Sequence, residues 1–166
     1  MSWVRYTPAA RQAVLEARAE AERHGRLDVD SGYLLVGILR QPESLARRYL
    51  EGMGIAEAIV PAREPADKGE GEETPKLTDE AKRGLKIAEI ESDSRRHRYI
   101  GTEHLILGML REPSSVAGGL LREGGLSVEA TRQALTVLST KLPSDMRAAD
   151  TSPVGLVERL KSWFRT

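Results

Sequence analysis

Two stretches of the sequence carry the same pattern and decide the fold. The first reads Ser31-Gly32-Tyr33-Leu34-Leu35-Val36-Gly37-Ile38-Leu39-Arg40, and the second reads Thr102-Glu103-His104-Leu105-Ile106-Leu107-Gly108-Met109-Leu110-Arg111. Each begins with a hydroxyl residue and continues through an apolar run that suits a short, centrally buried helix. Ser31 and Thr102 are the expected N-caps. A glycine inside each run, Gly37 or Gly108, costs about 1 kcal/mol relative to alanine, and we expect close backbone packing to offset it.

The similarity extends on both sides of these stretches. A shift of 71 positions aligns Thr7 to Ile55 with Thr78 to Leu126 without a gap. Identical pairs include Thr7/Thr78, Ala10/Ala81, Ala17/Ala88, Glu20/Glu91, Leu34/Leu105, Gly37/Gly108, Leu39/Leu110, Arg40/Arg111, Pro42/Pro113, Ser44/Ser115, Ala46/Ala117, Leu50/Leu121 and Gly54/Gly125. The chain is therefore a tandem repeat of one unit of about fifty residues.

Each copy predicts a helical unit with the same helix start and stop signals. A threonine opens a first helix that ends near His24 or Arg95, and a proline after the buried helix leads into a third helix that stops before Gly54 or Gly125. A fourth helix, capped by Ser127, runs to about Lys141 in the second copy, whereas Pro61 cuts it short in the first. The prediction is an all-α fold of two pseudo-twofold related four-helix motifs.

Composition divides the chain into four parts. The first copy covers residues 1–60, an acidic linker rich in proline and glycine covers 61–76, and the second copy covers 77–142. Residues 143–166 are predicted to form a polar linker and a C-terminal amphipathic helix. Within that helix Leu156, Leu160, Trp163 and Phe164 are candidates for docking on a partner. Folding back on the repeats or self-association is the favoured alternative, and weak anchoring to a membrane surface is another.

Charge and residue usage exclude several classes of function. Lys and Arg balance Asp and Glu, so no net field attracts nucleic acid. There is no cysteine, which excludes disulfides and thiolate chemistry. No stretch is apolar enough for a membrane span, and the N-terminus lacks the pattern of a signal peptide, so we expect a cytoplasmic protein without integral membrane association.

The second copy resembles a known family. The run Tyr99-Ile100-Gly101-Thr102-Glu103-His104-Leu105-Ile106-Leu107-Gly108-Met109-Leu110-Arg111-Glu112 is similar to the Clp amino-terminal repeat, the double four-helix domain at the front of Clp-family AAA+ unfoldases. The first copy keeps the scaffold but has Val29-Asp30-Ser31-Gly32-Tyr33 where the family pattern is Ile-Gly-Thr-Glu-His. Any site built on the glutamate and histidine is therefore expected only in the second copy.

The resemblance implies a non-catalytic protein-binding module. No phosphate-binding Gly-x-x-x-x-Gly-Lys-[Ser/Thr] motif occurs in the chain, so we expect a free-standing Clp repeat domain without its ATPase. Such a module would act as an adaptor or regulator of a Clp unfoldase and protease core, with client proteins or degradation tags as ligands. The alternatives are a protein that sequesters peptides or peptide antibiotics and an accessory stabiliser of the protease core.

One ligand site can be specified by residue. The resemblance implies phosphoarginine recognition through Thr102 and Glu103, and we place Thr78 and Lys82 beside them. Helix N-termini suit a phosphate, and a glutamate accepts a guanidinium. The alternative is that Thr102 and Glu103 only cap the helix. His104 is expected to pack in the core, and no metal or other cofactor is assigned, because His24, His97 and His104 form no ligand pattern.

Overall fold

The computed structural model describes residues 3–56 and 73–141. In the first copy, after a 3-10 turn at Trp3–Arg5, the helices are α1 (Pro8–Arg23), α2 (Ser31–Leu39) and α3 (Leu45–Gly52). In the second copy they are α4 (Asp79–Ser94), α5 (Thr102–Arg111), α6 (Val116–Glu123) and α7 (Val128–Lys141). The all-α prediction and the doubled unit are confirmed.

The helix boundaries follow from local sequence. Thr7 and Thr78 cap α1 and α4, each accepting a bond from the backbone amide three residues on. Gly54 and Gly125 adopt positive φ angles just after α3 and α6, as glycines that end a helix do. Ser127 accepts from the Ala130 amide at the start of α7. The first copy's predicted fourth-helix remnant, at Ile59 and Val60, lies outside the described residues, as does the C-terminal amphipathic segment.

The two central glycines show why the buried helices carry them. A Cβ built on Gly37 would lie 2.0 Å from the Ala13 carbonyl oxygen, and one on Gly108 would lie 2.2 Å from the Gly84 carbonyl oxygen. Each glycine thus lets the second helix of its copy touch the backbone of the first helix. The expected close packing is confirmed in both copies.

Two short parallel pairings, which the sequence pattern did not predict, tie the copies together. Strand β1 (Asp28–Val29) pairs with β2 (Lys76–Leu77), and Tyr6 bridges Ile100. Under the 71-residue shift Tyr6 corresponds to Leu77 and Val29 corresponds to Ile100, so the two pairings are equivalent. The segment before the first helix of each copy therefore pairs with the segment before the second helix of the other copy.

The copies share one core. Its buried side chains come from both repeats and include Tyr6, Val14, Leu34, Leu35, Ile38, Leu50, Leu85, Ile100, Leu105, Ile106, Leu121 and Leu135. Helix α7 packs on α3 of the first copy and on α5 of its own copy. The tandem repeat therefore folds as one intertwined body within the described part of the chain.

Candidate functional site

The exchange between the copies creates two pseudo-equivalent junctions where helix starts converge. In the Thr78 junction, the start of α4 meets the starts of α2 and α6, because Thr78 donates its amide to the Val29 carbonyl and the Ser31 hydroxyl accepts from the Ala117 amide. In the Thr7 junction, the start of α1 meets the starts of α5 and α3. There the Thr7 amide donates to the Ile100 carbonyl, and the Thr102 hydroxyl accepts from the Ala46 amide.

The four site residues predicted from the sequence divide between these junctions. Thr78 and Lys82 belong to the Thr78 junction, where Lys82 is exposed one turn into α4. Thr102 and Glu103 belong to the Thr7 junction, at the start of α5. The structure therefore brings each pair together but assigns the two pairs to different helix clusters.

Thr102 has a role across the repeats. Its hydroxyl lies 3.2 Å from the Ala46 amide, and its side chain is buried. The N-cap of α5 is Gly101, and the N-cap of α2 is Asp30, whose carboxylate accepts from the Tyr33 amide. The expectation that Ser31 and Thr102 cap their own helices is wrong by one residue, because both hydroxyls cap the third helix of the other copy.

Glu103 lies inside the Thr7 junction and not on its surface. The residue is 5% exposed, and a Cβ on Gly101 would lie 2.2 Å from the Glu103 carboxylate, so the carboxylate covers the Gly101 Cα. Burial raises the pKa of the Glu103 carboxyl, against hydrogen bonds from its own amide and the Tyr99 side chain and the positive charge of Arg95. A guanidinium could reach this carboxylate only after the side chain turned outward.

His104 is held next to Glu103 by two hydrogen bonds. Its Nδ1 accepts from the Gly101 amide at 2.9 Å, which places the ring proton on Nε2, and Nε2 lies 2.8 Å from Nδ1 of His97. Tyr99 stacks on His97 with a centroid separation of 5.0 Å. Burial, followed by the charges of His97, Arg95 and Arg5, lowers the pKa of His104 to about 3. A neutral, fully buried His104 is thus fixed in place at the start of α5.

Two residues that the sequence analysis did not select occupy the Thr7 junction. They are Thr7 and Arg11, the equivalents of Thr78 and Lys82 in the other copy. Arg11 is fully buried and donates from Nε and Nη2 to the Tyr6 carbonyl, at 3.0 and 2.8 Å. The 71-residue shift shows that Thr7 and Arg11 correspond to Thr78 and Lys82. The sequence pattern does not show that the two copies cross and so place Thr7 beside Thr102.

Glu80 is a further residue of the Thr78 junction that the sequence analysis did not select. Its carboxylate accepts from the Ser31 amide at 2.7 Å and from the Thr78 hydroxyl at 2.8 Å, and its second oxygen lies 3.4 Å from the Val116 amide. One side chain thus contacts three elements of the Thr78 junction. The acidic pair after Thr78 was a usable signal for a charged helix start, but not for contacts to α2 and α6.

Metal-ligand groups and membrane-spanning helices are both absent from the described residues. Residues 3–56 and 73–141 contain no group of three His, Cys, Asp or Glu side chains placed to hold a metal ion. In the same ranges no helix combines the length and apolar character needed to cross a bilayer.

Comparisons with known proteins identify the family. Residues 5–66 and 76–165 match the model of the Clp repeat (R) N-terminal domain. The negative regulator of genetic competence ClpC/MecB of Bacillus subtilis is 29% identical over 155 residues, which cover 92% of this chain and 19% of that protein. The chaperone protein ClpB of Oceanobacillus iheyensis is 30% identical over 138 residues, which cover 80% of this chain and 17% of that protein. The chain thus spans less than a fifth of either relative.

Solved structures share the fold. The N-terminal domain of the ClpV1 ATPase from Escherichia coli superposes with a TM-score of 0.61 at 17% identity, covering 92% of both chains. The N-terminal domain of the chaperone ClpD from Arabidopsis thaliana gives a TM-score of 0.59 at 19% identity, covering 84% of this chain and 97% of the other. Since the family model matches both copies, the chain belongs to the Clp repeat (R) N-terminal domain family.

Proposed function

We propose that this chain is a non-catalytic protein-binding module that acts as an adaptor or regulator of a Clp unfoldase and its protease core. The observation that carries the proposal is the match to the Clp repeat N-terminal domain over both copies. The convergent helix starts of the Thr7 junction add a candidate recognition surface to that match. Client proteins, or tags attached to them, are the proposed ligands.

The Thr7 junction is the proposed recognition site. Helices α5 and α3 both begin there, and helix starts carry unpaired amides and a partial positive charge that favour a phosphate. Within the described residues, no side chain accepts from the amides of Thr102 or Leu45. Glu103 supplies a carboxylate for a guanidinium once its side chain leaves Gly101. These groups suit phosphoarginine. Thr78 and Lys82 lie in the pseudo-equivalent Thr78 junction.

Titration calorimetry with phosphoarginine tests this recognition. The expected result is saturable heat with the unmodified chain and none with Glu103→Ala. Glu43→Ala is a matched control, because the Glu43 side chain is 76% exposed and pairs with Arg48 at the surface. Absence of heat with the unmodified chain would remove phosphoarginine from the proposal.

Affinity capture from the parent cell tests the partner. Recovery of a Clp unfoldase, a Clp protease core or phosphorylated client proteins supports the adaptor or regulator role. The burial of Glu103 favours a second candidate, in which the chain holds unmodified peptides and keeps them from the unfoldase. Recovery of peptides without any Clp component would support that second role.

The C-terminal segment is proposed as a separate docking element. Leu156, Leu160, Trp163 and Phe164 lie outside the described residues, so their role rests on the amphipathic sequence alone. Deleting residues 151–166 and repeating the capture tests it. Loss of the Clp component with unchanged thermal stability and mass supports external docking, whereas a drop in thermal stability supports folding back on the repeats.

A further inference from the structure

One of the positions at which the two junctions differ is that of Glu80. In the Thr78 junction the Glu80 carboxylate is held by the Ser31 amide, the Thr78 hydroxyl and, more distantly, the Val116 amide. The residue that corresponds to Glu80 in the first copy is Ala9. At this position the convergence of helix starts therefore carries a carboxylate in the Thr78 junction and a methyl group in the Thr7 junction, where Glu103 lies over Gly101 instead.

The contacts of Glu80 are those expected of a bound anion. Its two oxygens receive donors from the start of α2, from the start of α6 and from the cap of α4, which are three separate elements. Each donor lies at a helix start, where partial positive charge attracts a carboxylate or a phosphate. In the Thr7 junction the equivalent donors are the amides of Thr102 and Leu45 and the hydroxyl of Thr7.

We propose that Glu80 is a built-in ligand that occludes the Thr78 junction, so that the chain takes an acidic group at the Thr7 junction alone. An external phosphate or carboxylate would have to displace a side chain already tethered in place, and then lie beside its charge. Displacement also breaks a charge-assisted hydrogen bond to a backbone amide, an interaction stronger than one between neutral groups. This inference rests on the proposed recognition at the Thr7 junction. It predicts that each chain binds one such ligand.

Two-dimensional amide spectra recorded during titration with inorganic phosphate, and separately with phosphoarginine, test the occlusion. In the unmodified chain the Thr102 and Leu45 amides should shift saturably while those of Ser31 and Val116 stay fixed. In Glu80→Ala the Ser31 and Val116 amides should also shift, with an affinity there about tenfold or more above that of the unmodified chain, as expected for one removed charge-assisted contact. Asp79→Ala, which changes the exposed neighbour of Glu80, should behave as the unmodified chain.

The reciprocal variant keeps the test decisive if Glu80→Ala unfolds. Ala9→Glu places a carboxylate at the equivalent point of the Thr7 junction and should abolish the shifts of Thr102 and Leu45. The proposal is overturned if folded Glu80→Ala shows no new shifts, or if Ala9→Glu binds as the unmodified chain does. Shifts gained at Ser31 in Glu80→Ala without any at Thr102 in the unmodified chain would instead refute recognition at the Thr7 junction and leave the occlusion standing.

Discussion

The hydroxyl of Thr102 accepts a hydrogen bond from the backbone amide of Ala46, at 3.2 Å, so a side chain of the second copy caps a helix of the first. The Ser31 hydroxyl returns the contact by accepting from the Ala117 amide at 2.9 Å. The four residues correspond in pairs under the 71-residue shift. Cross-capping is thus a symmetric feature of the fold.

We expect Thr102→Val to lower the free energy of unfolding by about 1–3 kcal/mol, because it keeps the shape of the side chain and leaves the buried Ala46 amide without its acceptor. Thr102→Ser keeps the hydroxyl and serves as the matched control. Urea unfolding measures both. An equal loss for the two variants would show that the cap does not decide stability, because Thr102→Ser keeps the hydroxyl and Thr102→Val does not.

Gly108→Ala should destabilise the chain by more than 3 kcal/mol or prevent folding, although alanine favours helix by about 1 kcal/mol. The added Cβ would collide with backbone, 2.2 Å from the Gly84 carbonyl oxygen and 2.8 Å from the Ala88 nitrogen. Gly119→Ala, also helical but with nothing within 4 Å, should instead raise the thermal midpoint slightly. A stable Gly108→Ala variant would contradict the close contact of α4 and α5.

Glu91→Gln should weaken the attachment of α7. Burial alone would raise the pKa of the Glu91 carboxyl, but hydrogen bonds and charge from Arg132 and Arg111 outweigh it and lower that pKa. Arg132 on α7 donates at 2.7 Å, and Arg111 on α5 donates at 2.8 Å. Breaking buried ion pairs costs about 3–5 kcal/mol, a figure to be discounted here because both arginines are about a third exposed.

The matched comparison for Glu91→Gln is Glu20→Gln in the first copy. Glu20 also accepts from an arginine, Arg40, which directly follows the second helix, at 2.8 Å, but its other arginine partner, Arg23, lies on its own helix. We expect a smaller loss of unfolding free energy for Glu20→Gln and, in hydrogen exchange, faster exchange in α7 for Glu91→Gln only. Equal losses and unchanged exchange in α7 would contradict the anchoring role.

The free energy of unfolding should decrease as the pH is lowered from 6.5, the ordinary pKa of histidine, to about 3. Burial lowers the folded-state pKa of His104 to about 3, so below pH 6.5 the unfolded chain binds a proton that the folded chain does not. The largest slope is about 1.4 kcal/mol per pH unit. Glu103 acts in the opposite sense above its ordinary pKa of 4.5, because its folded-state pKa is raised and the folded chain there keeps a proton that the unfolded chain loses.

Urea unfolding of the unmodified chain and His104→Gln at pH 7.5, 6.5, 5.5 and 4.5 measures this dependence. The variant is expected to be less stable at pH 7.5, because it loses the bond to the Gly101 amide, but to show a shallower decline as pH falls. Parallel curves for the two proteins would show that His104 does not account for the pH dependence.

Much of the helical architecture could be predicted from the repeat. Thr7, Thr78 and Ser127 cap the expected helices, and Gly37 and Gly108 mark the expected close contacts, because these signals are local or repeat at helical spacing. The crossing of the copies could not be predicted. Pairings such as Tyr6 with Ile100 join residues far apart in the chain through backbone atoms, and these leave no periodic pattern.

The candidate site could be predicted only in part for the same reason, since its contacts join residues far apart in the chain. Glu103 and Thr102 were selected by resemblance, and their sequence neighbours gave no indication that Thr7 would complete the junction. Nor could the sequence indicate that the Glu103 side chain lies over Gly101, since the direction of a side chain near a helix start depends on tertiary packing. Glu80 was visible as a charge, but its contacts to Ser31 and Val116 exist only once α2 and α6 are in place.

The parallel pairings of β1 with β2 and of Tyr6 with Ile100 make each copy depend on the other. A polypeptide with one copy would carry an opening segment and a third helix whose partners it could find only on a second molecule. Two such molecules, related by a twofold axis, would satisfy both sets of contacts at once, as isologous dimers do. The described fold has the arrangement that joining the two subunits of such a homodimer in one chain would give, with two halves that differ at Ala9 and Glu80.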